Sequence, residues 1–162
     1  MRGITILIVW LFLPLTAVAE SVAVLPVTYK IYRTNEDSEA RAAKVKEAVV
    51  RGVEKAGLTP MTGDDIDQAS HALAPPNETY CMSSECVLQV TKQTGADLGV
   101  VVSVSDQDGQ FDIQILTTYA EPIAKSPFGM LKSVLNRITA LVADSLKEGL
   151  HNRPIPSASA RW

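Results

Sequence analysis

The sequence predicts a layered α/β (α+β) domain: a small mixed β-sheet with helices packed on it, the last of them a long C-terminal helix. Three patterns carry that reading. The first is a continuous apolar run, Leu98-Gly99-Val100-Val101-Val102-Ser103-Val104, of the length of a strand covered on both faces. The second has period two: Phe111, Ile113, Ile115, Thr117 and Tyr119 alternate with Asp112, Gln114 and Thr118. The third is a stripe of period 3.6, made by Phe128, Leu131, Leu135, Ile138, Val142 and Leu146 and widened by Val134 and Leu141. Each pattern requires a different kind of neighbour, and only stacked layers of sheet and helix supply all three.

The domain is expected over residues 20–150, between an export signal at 1–19 and a disordered tail at 151–162. In the signal, Arg2 gives a positive start, residues 4–15 give an apolar stretch broken by Pro14, and Ala17-Val18-Ala19 puts small residues where a signal peptidase reads them. The apolar run 4–18 is shorter than the roughly 20 residues that span a bilayer. Cleavage is therefore expected between Ala19 and Glu20, with the mature chain periplasmic or secreted. It would meet the membrane only transiently, through the signal.

The elements follow in order. In 22–29, Val22 and Val24 are assigned to one face of a strand and Ala23, Leu25, Val27 and Tyr29 to the other, with a bulge or an edge at Pro26, which has no N–H to donate. Thr34 to Ser38 reads as a helix start, and the helix runs to about Ala56. Its buried stripe is Ala42, Val45, Val49, Val53 and Ala56. Arg41, Lys44, Lys46, Glu47, Arg51 and Glu54 are assigned to water, and Gly57 stops the helix. Residues 59–62 form a short strand or link. Asp64 and Asp65 open a second helix to about Leu73, and 74–79 is loop. Ser83 or Ser84 caps a third helix that buries Val87, Val90, Thr91 and Thr94 and ends at Gly95. Residues 106–109 read as the turn of a hairpin joining the apolar run to the alternating one. Ser126-Pro127 reads as the cap and first position of the long last helix. Residues 151–162 are rich in Pro, Ser and Ala, and Trp162 is read as a tail residue.

Composition narrows the function. Loss of residues 1–19 removes one cation, Arg2, and leaves 14 Lys and Arg against 18 Asp and Glu. The charges are interspersed, with no basic stripe for nucleic acid and no basic amphipathic helix for an anionic membrane. Catalytic patterns do not appear: no Gly-x-Ser-x-Gly elbow, no Gly-x-Gly-x-x-Gly, no Walker loop. No cofactor is implied. Zinc would need Cys81, Cys86, His71 and His151, which fails if the cysteines are bonded and His151 lies in the tail. Asp64, Asp65 and Asp67 are explained by a helix start, and no glycine stands where a calcium loop requires one.

Cys81 and Cys86 are the chain's two cysteines, and in an oxidising compartment they are expected to form a structural disulfide. A redox role is the rival reading, since Cys86 sits near a helix N-terminus, which lowers a thiol's pKa. The four-residue spacing differs from the two-residue spacing of thioredoxin-type motifs.

From the opening Val-Ala-Val-Leu-Pro-Val strand to the last helix, the chain resembles exported bacterial α/β modules related to the N-terminal domain of TolB and the core of CsgG- and FlgO-type envelope proteins. The residues that carry this are the Cys-x4-Cys loop before a helix and the turn Gly95-Ala96-Asp97 leading into the apolar strand. The resemblance implies a mixed sheet with packed helices and a non-catalytic accessory role among other envelope proteins. On the residues alone, Gly95 is also a helix stop and Asp97 an ordinary turn residue. The leading expectation is a non-enzymatic interaction domain. The alternatives are a periplasmic thiol-disulfide protein using Cys81 and Cys86, and a small-ligand binder at the strand ends.

Overall fold

The computed structural model describes residues 20–32 and 38–154. The expected export signal with Ala19, the Thr34–Asp37 part of the expected first helix start and residues 155–162 lie outside the described residues. Six strands and four helices follow in the order β1 (Ser21–Val24), β2 (Thr28–Ile31), α1 (Ser38–Lys55), β3 (Thr59–Met61), α2 (Asp64–Leu73), α3 (Ser84–Thr94), β4 (Leu98–Gln107), β5 (Gln110–Thr117), β6 (Ile123–Lys125) and α4 (Leu131–Asn152). The sheet is mixed. Its order is β3-β1-β4-β5-β6, with β2 also paired to β4. The β1–β3, β1–β4 and β2–β4 pairs are parallel, and the β4–β5 and β5–β6 pairs antiparallel.

The apolar run is the central strand, as its pattern requires. β4 has β1 and β2 on one side and β5 on the other. Val100, Val102 and Val104 face a core shared with Val45, Val49 and Val53 of α1 and Ile138, Val142 and Leu146 of α4. Val101 faces the opposite core, with Val87 and Val90 of α3 and Ile66 and Ala69 of α2. The sheet is thus a middle layer. α2 and α3 cover only part of their face, so β5 buries Phe111, Ile113 and Ile115 and leaves Gln110, Asp112 and Gln114 in water. Double coverage produces the continuous run and single coverage the alternation.

Pro26 marks a break that changes the side-chain parity. Val24 lies opposite Val100, but Thr28 lies opposite Ser103, so four steps on the first strand match three on β4. That extra residue is a bulge, and a one-residue shift sends every later side chain to the other face. Val27 and Tyr29 therefore join Val22 and Val24 in the α1–α4 core, not Ala23 and Leu25 as a regular strand would have it.

Further expectations are corrected. Asp106 belongs to β4 and is only 6% exposed. The hairpin turn is Asp108-Gly109 alone, both left-handed with φ of 53° and 84°, the geometry that follows the twist of the flanking strands. β5 ends at Thr117, and Tyr119 takes φ of 66°, outside the alternation. The last helix starts at Leu131, not at Ser126-Pro127. The Ser126 hydroxyl instead donates to Asp112 Oδ1 (2.7 Å), and the Phe111 N–H donates to the Pro127 carbonyl (2.9 Å). Proline with a free carbonyl suits a sheet margin as well as a first helical turn. Phe128 is consequently not core but 81% exposed. β6 was not anticipated; its three residues are too few to show a period. The helix also runs past the expected boundary through His151 and Asn152.

Candidate interaction surface

At the end of the sheet formed by the β4–β5 turn, an ion pair joins three elements. Arg41 Nη1 of α1 donates to Asp106 Oδ2 of β4 (2.6 Å) and to the Tyr29 hydroxyl of β2 (3.3 Å). Tyr29 donates to the same Oδ2 (3.1 Å), and the Gly109 N–H donates to Asp106 Oδ1 (3.2 Å). The Arg41 guanidinium also stands 5.9 Å from the centre of the Tyr29 ring. Burial pushes the Tyr29 phenol above its usual pKa, with the Asp106 charge adding to the rise against the Arg41 hydrogen bond. A buried carboxylate needs such partners. Arg41 is therefore not one of the wet residues of α1. The signal was present: Asp106 continues the inward series Val100, Val102, Val104, and Arg41 lies four residues before Val45 on the buried stripe.

Above this pair lies a cleft of ≈ 240 Å³, with Ile31, Phe111 and Leu131 among its lining residues. Next in sequence to its lining residues Ile31, Gly129 and Leu131 are the large apolar side chains left in water among the described residues: Tyr32 (59% exposed), Phe128 (81%) and Met130 (79%). The Tyr32 N–H donates to the Asp106 carbonyl, and the Phe128 ring lies beside Gly109, so Tyr32 and Phe128 belong to the same end of the sheet. Arg41 and Asp106 satisfy one another there, and the lining also holds the exposed carboxylate of Asp108 beside Ile31, Phe111 and Leu131.

The cysteine pair lies on the other helical layer. Cys81 and Cys86 are joined by a disulfide with Cα atoms 5.4 Å apart. Their side chains belong to the core of α2 and α3, with Cys81 fully buried and Cys86 7% exposed. Ser83 caps α3 by accepting from the Cys86 N–H (3.3 Å), and the Cys81 N–H donates to the Ser70 hydroxyl of α2 (3.2 Å). The bridge thus fixes the loop after α2 to the first turn of α3.

Gly95-Ala96-Asp97 forms the turn into β4. Gly95 is left-handed with φ of 72°. Asp97 Oδ2 accepts from the Ser21 N–H (2.8 Å) and the Ser21 hydroxyl (3.0 Å). Arg153 Nη2 lies 3.5 Å from Asp97 Oδ1, and Arg153 Nη1 donates to Glu20 Oε1 (3.3 Å). The Ser21 backbone hydrogen bond is the main cause holding the Asp97 carboxyl below its usual pKa, and Arg153 acts in the same direction. Arg153, placed in the tail by composition, thus ties the end of α4 to the start of β1.

Among the described residues no three His, Cys, Asp or Glu side chains converge as metal ligands, and no helix is long and apolar enough to cross a membrane. His71 Nδ1 lies 2.9 Å from the Thr79 carbonyl, and His151 is in the last turn of α4. Asp64, Asp65 and Asp67 occupy the first turn of α2, where Asp67 lies 3.8 Å from Lys46.

No family model matches the chain, and no curated protein matches it. Solved structures do show similarity. The LpoB C-terminal domain from Salmonella enterica is 13% identical, over 68% of this chain and 84% of that one, with a TM-score of 0.44. A PelC dodecamer subunit from Paraburkholderia phytofirmans is 11% identical, over 79% and 89%, at 0.43. TolB from Acinetobacter baumannii is 14% identical, over 85% of this chain but 29% of that one, at 0.45.

Proposed function

We propose that this chain is a non-enzymatic interaction domain of the bacterial cell envelope, exported to an oxidising compartment, and that it docks a protein partner through Tyr32, Phe128 and Met130. The observation that carries the reading is their exposure around one cleft. An aromatic and methionine cluster in water is costly unless something covers it, and such residues are the usual anchors of protein interfaces. The buried disulfide and the apolar signal-like run at 1–19 support the compartment. The same burial favours a structural role for Cys81–Cys86 over thiol exchange, because attack on a disulfide requires access to sulfur.

Photo-crosslinking from position 128 in the envelope fraction tests this. One discrete adduct is expected, lost when Tyr32 and Met130 are replaced by serine in a variant of unchanged thermal stability. Adducts scattered over abundant proteins, or indifferent to Tyr32 and Met130, would sink the reading.

A further inference from the structure

The row of paired strands ends at β3 and at β6, and proline falls differently on the two. On β3 the Thr59 N–H bonds the Glu20 carbonyl (2.9 Å), so the next residue, Pro60, faces outward and has no N–H to offer there. On the β6 side the Phe111 N–H bonds the Pro127 carbonyl (2.9 Å) and the Gly129 N–H bonds the Gly109 carbonyl (3.0 Å). Lys125 lies opposite Ile113 in the same register. Backbone groups alternate in direction along an antiparallel strand. Lys125 and Pro127 therefore face β5, and Ala124, Ser126 and Phe128 turn their N–H and C=O groups outward. Among the described residues no strand lies beyond them, and all three are exposed.

We propose that a second copy of this chain pairs antiparallel with the β6 edge across a two-fold axis at Ser126, which joins the two sheets into one.

Self-complementarity of the edge selects that occupant and that register. With the axis at Ser126, Ser126 stands opposite Ser126 of the copy and Ala124 opposite Phe128. Every outward N–H from Ala124 to Phe128 then meets an outward carbonyl. An axis at Lys125 would set that lysine against itself. An axis at Ala124 would bring in Pro122, which has no N–H, and leave Phe128 unpaired. In the Ser126 register Lys125 meets Pro127 of the copy, so the charge that usually guards an edge has no like charge opposite it. The two Lys125 side chains stand one diagonal step apart, about 7–8 Å. The Phe128 ring lies beside Gly109, on the β5 side, so the pairing leaves the aromatic end open and does not rest on the docking role proposed above.

The test uses the oxidised chain from Glu20 onward, which holds every described element. Sedimentation equilibrium should show a monomer–dimer equilibrium that tightens as salt screens the two Lys125 charges. Ser126→Pro removes both bonds of the central pair and should weaken the dimer about tenfold or more. Ser126→Ala keeps the N–H, loses only the hydroxyl bond to Asp112, and should leave the dimer intact. Single cysteines read the register. Ser126→Cys should form a disulfide between copies, because residues opposite one another in a bonded pair are about 5.5 Å apart. Ala124→Cys should not, because the two Ala124 positions lie about 13 Å apart along the strands. Crosslinking from position 128 to another protein should be the same in Ser126→Pro as in the parent, so this inference and the docking role fail separately. If Ser126→Pro does not fold, the two cysteine variants decide alone. A chain that stays monomeric at every concentration, a Ser126→Pro dimer as tight as the parent, or equal crosslinking by the two cysteines would overturn the proposal. So would a dimer lost when Tyr32 and Met130 are replaced by serine, which would put the second copy on the aromatic end.

Discussion

Asp97 does more than occupy a turn, because its carboxylate holds the first strand to the start of the central one. Its folded pKa is depressed, mainly by the Ser21 N–H, from an ordinary value of 3.8. A depressed carboxyl stabilises the fold above the unfolded pKa, and that contribution is lost as pH falls through the folded one. Asp97→Asn should therefore lower the urea midpoint at neutral pH, and the deficit should shrink as pH drops below the carboxylate range. Unfolding curves of both proteins across acid pH check this. A deficit that persists unchanged in acid would mean that shape, not charge, is what Asp97 supplies.

At the scale of elements, α1 and α4 lie close enough that Gly52 has no room for a side chain. A Cβ there would stand 2.8 Å from Val142 Cβ and 2.9 Å from the Thr139 carbonyl. Neither is a flexible side-chain end, so the helices must separate. Alanine would gain about 1 kcal/mol of helix propensity, but overpacking costs about 1–3 kcal/mol, and the second effect should win. Gly52→Ala is expected to destabilise the domain by about 1 kcal/mol in equilibrium unfolding. A more stable variant would show that the two helices yield easily. The bulge at Pro26 acts at the same scale. It delivers Tyr29 to the α1 side, where Arg41 and Asp106 meet it.

For the whole molecule, the disulfide closes a six-residue segment and joins the loop after α2 to α3. On a chain-entropy basis its loss costs about 2 kcal/mol, a substantial share of the 5–15 kcal/mol usual for a domain of this kind. Replacing Cys81 and Cys86 together by serine should lower stability by that amount, about 2 kcal/mol, with the far-UV spectrum unchanged. Chemical denaturation of both forms measures it. The α1–α4 cover of the sheet should survive, because its core includes neither cysteine.

The sequence by itself determined the layers. The unbroken run of β4, the alternation of β5 and the stripe of α4 each record how many faces are covered, and burial is the strongest force on composition. It also marked the stop at Gly95 and a cap at Ser83 or Ser84, of which the structure selects Ser83; both depend on near neighbours in the chain. What only the tertiary structure decided involves partners distant in sequence. Asp106 has the composition of a turn residue but is a strand residue, because Arg41, 65 positions earlier, neutralises it. Phe128 fits a helical stripe by spacing, yet Pro127 and Ser126 bond to β5 and start the helix later, leaving the ring in water.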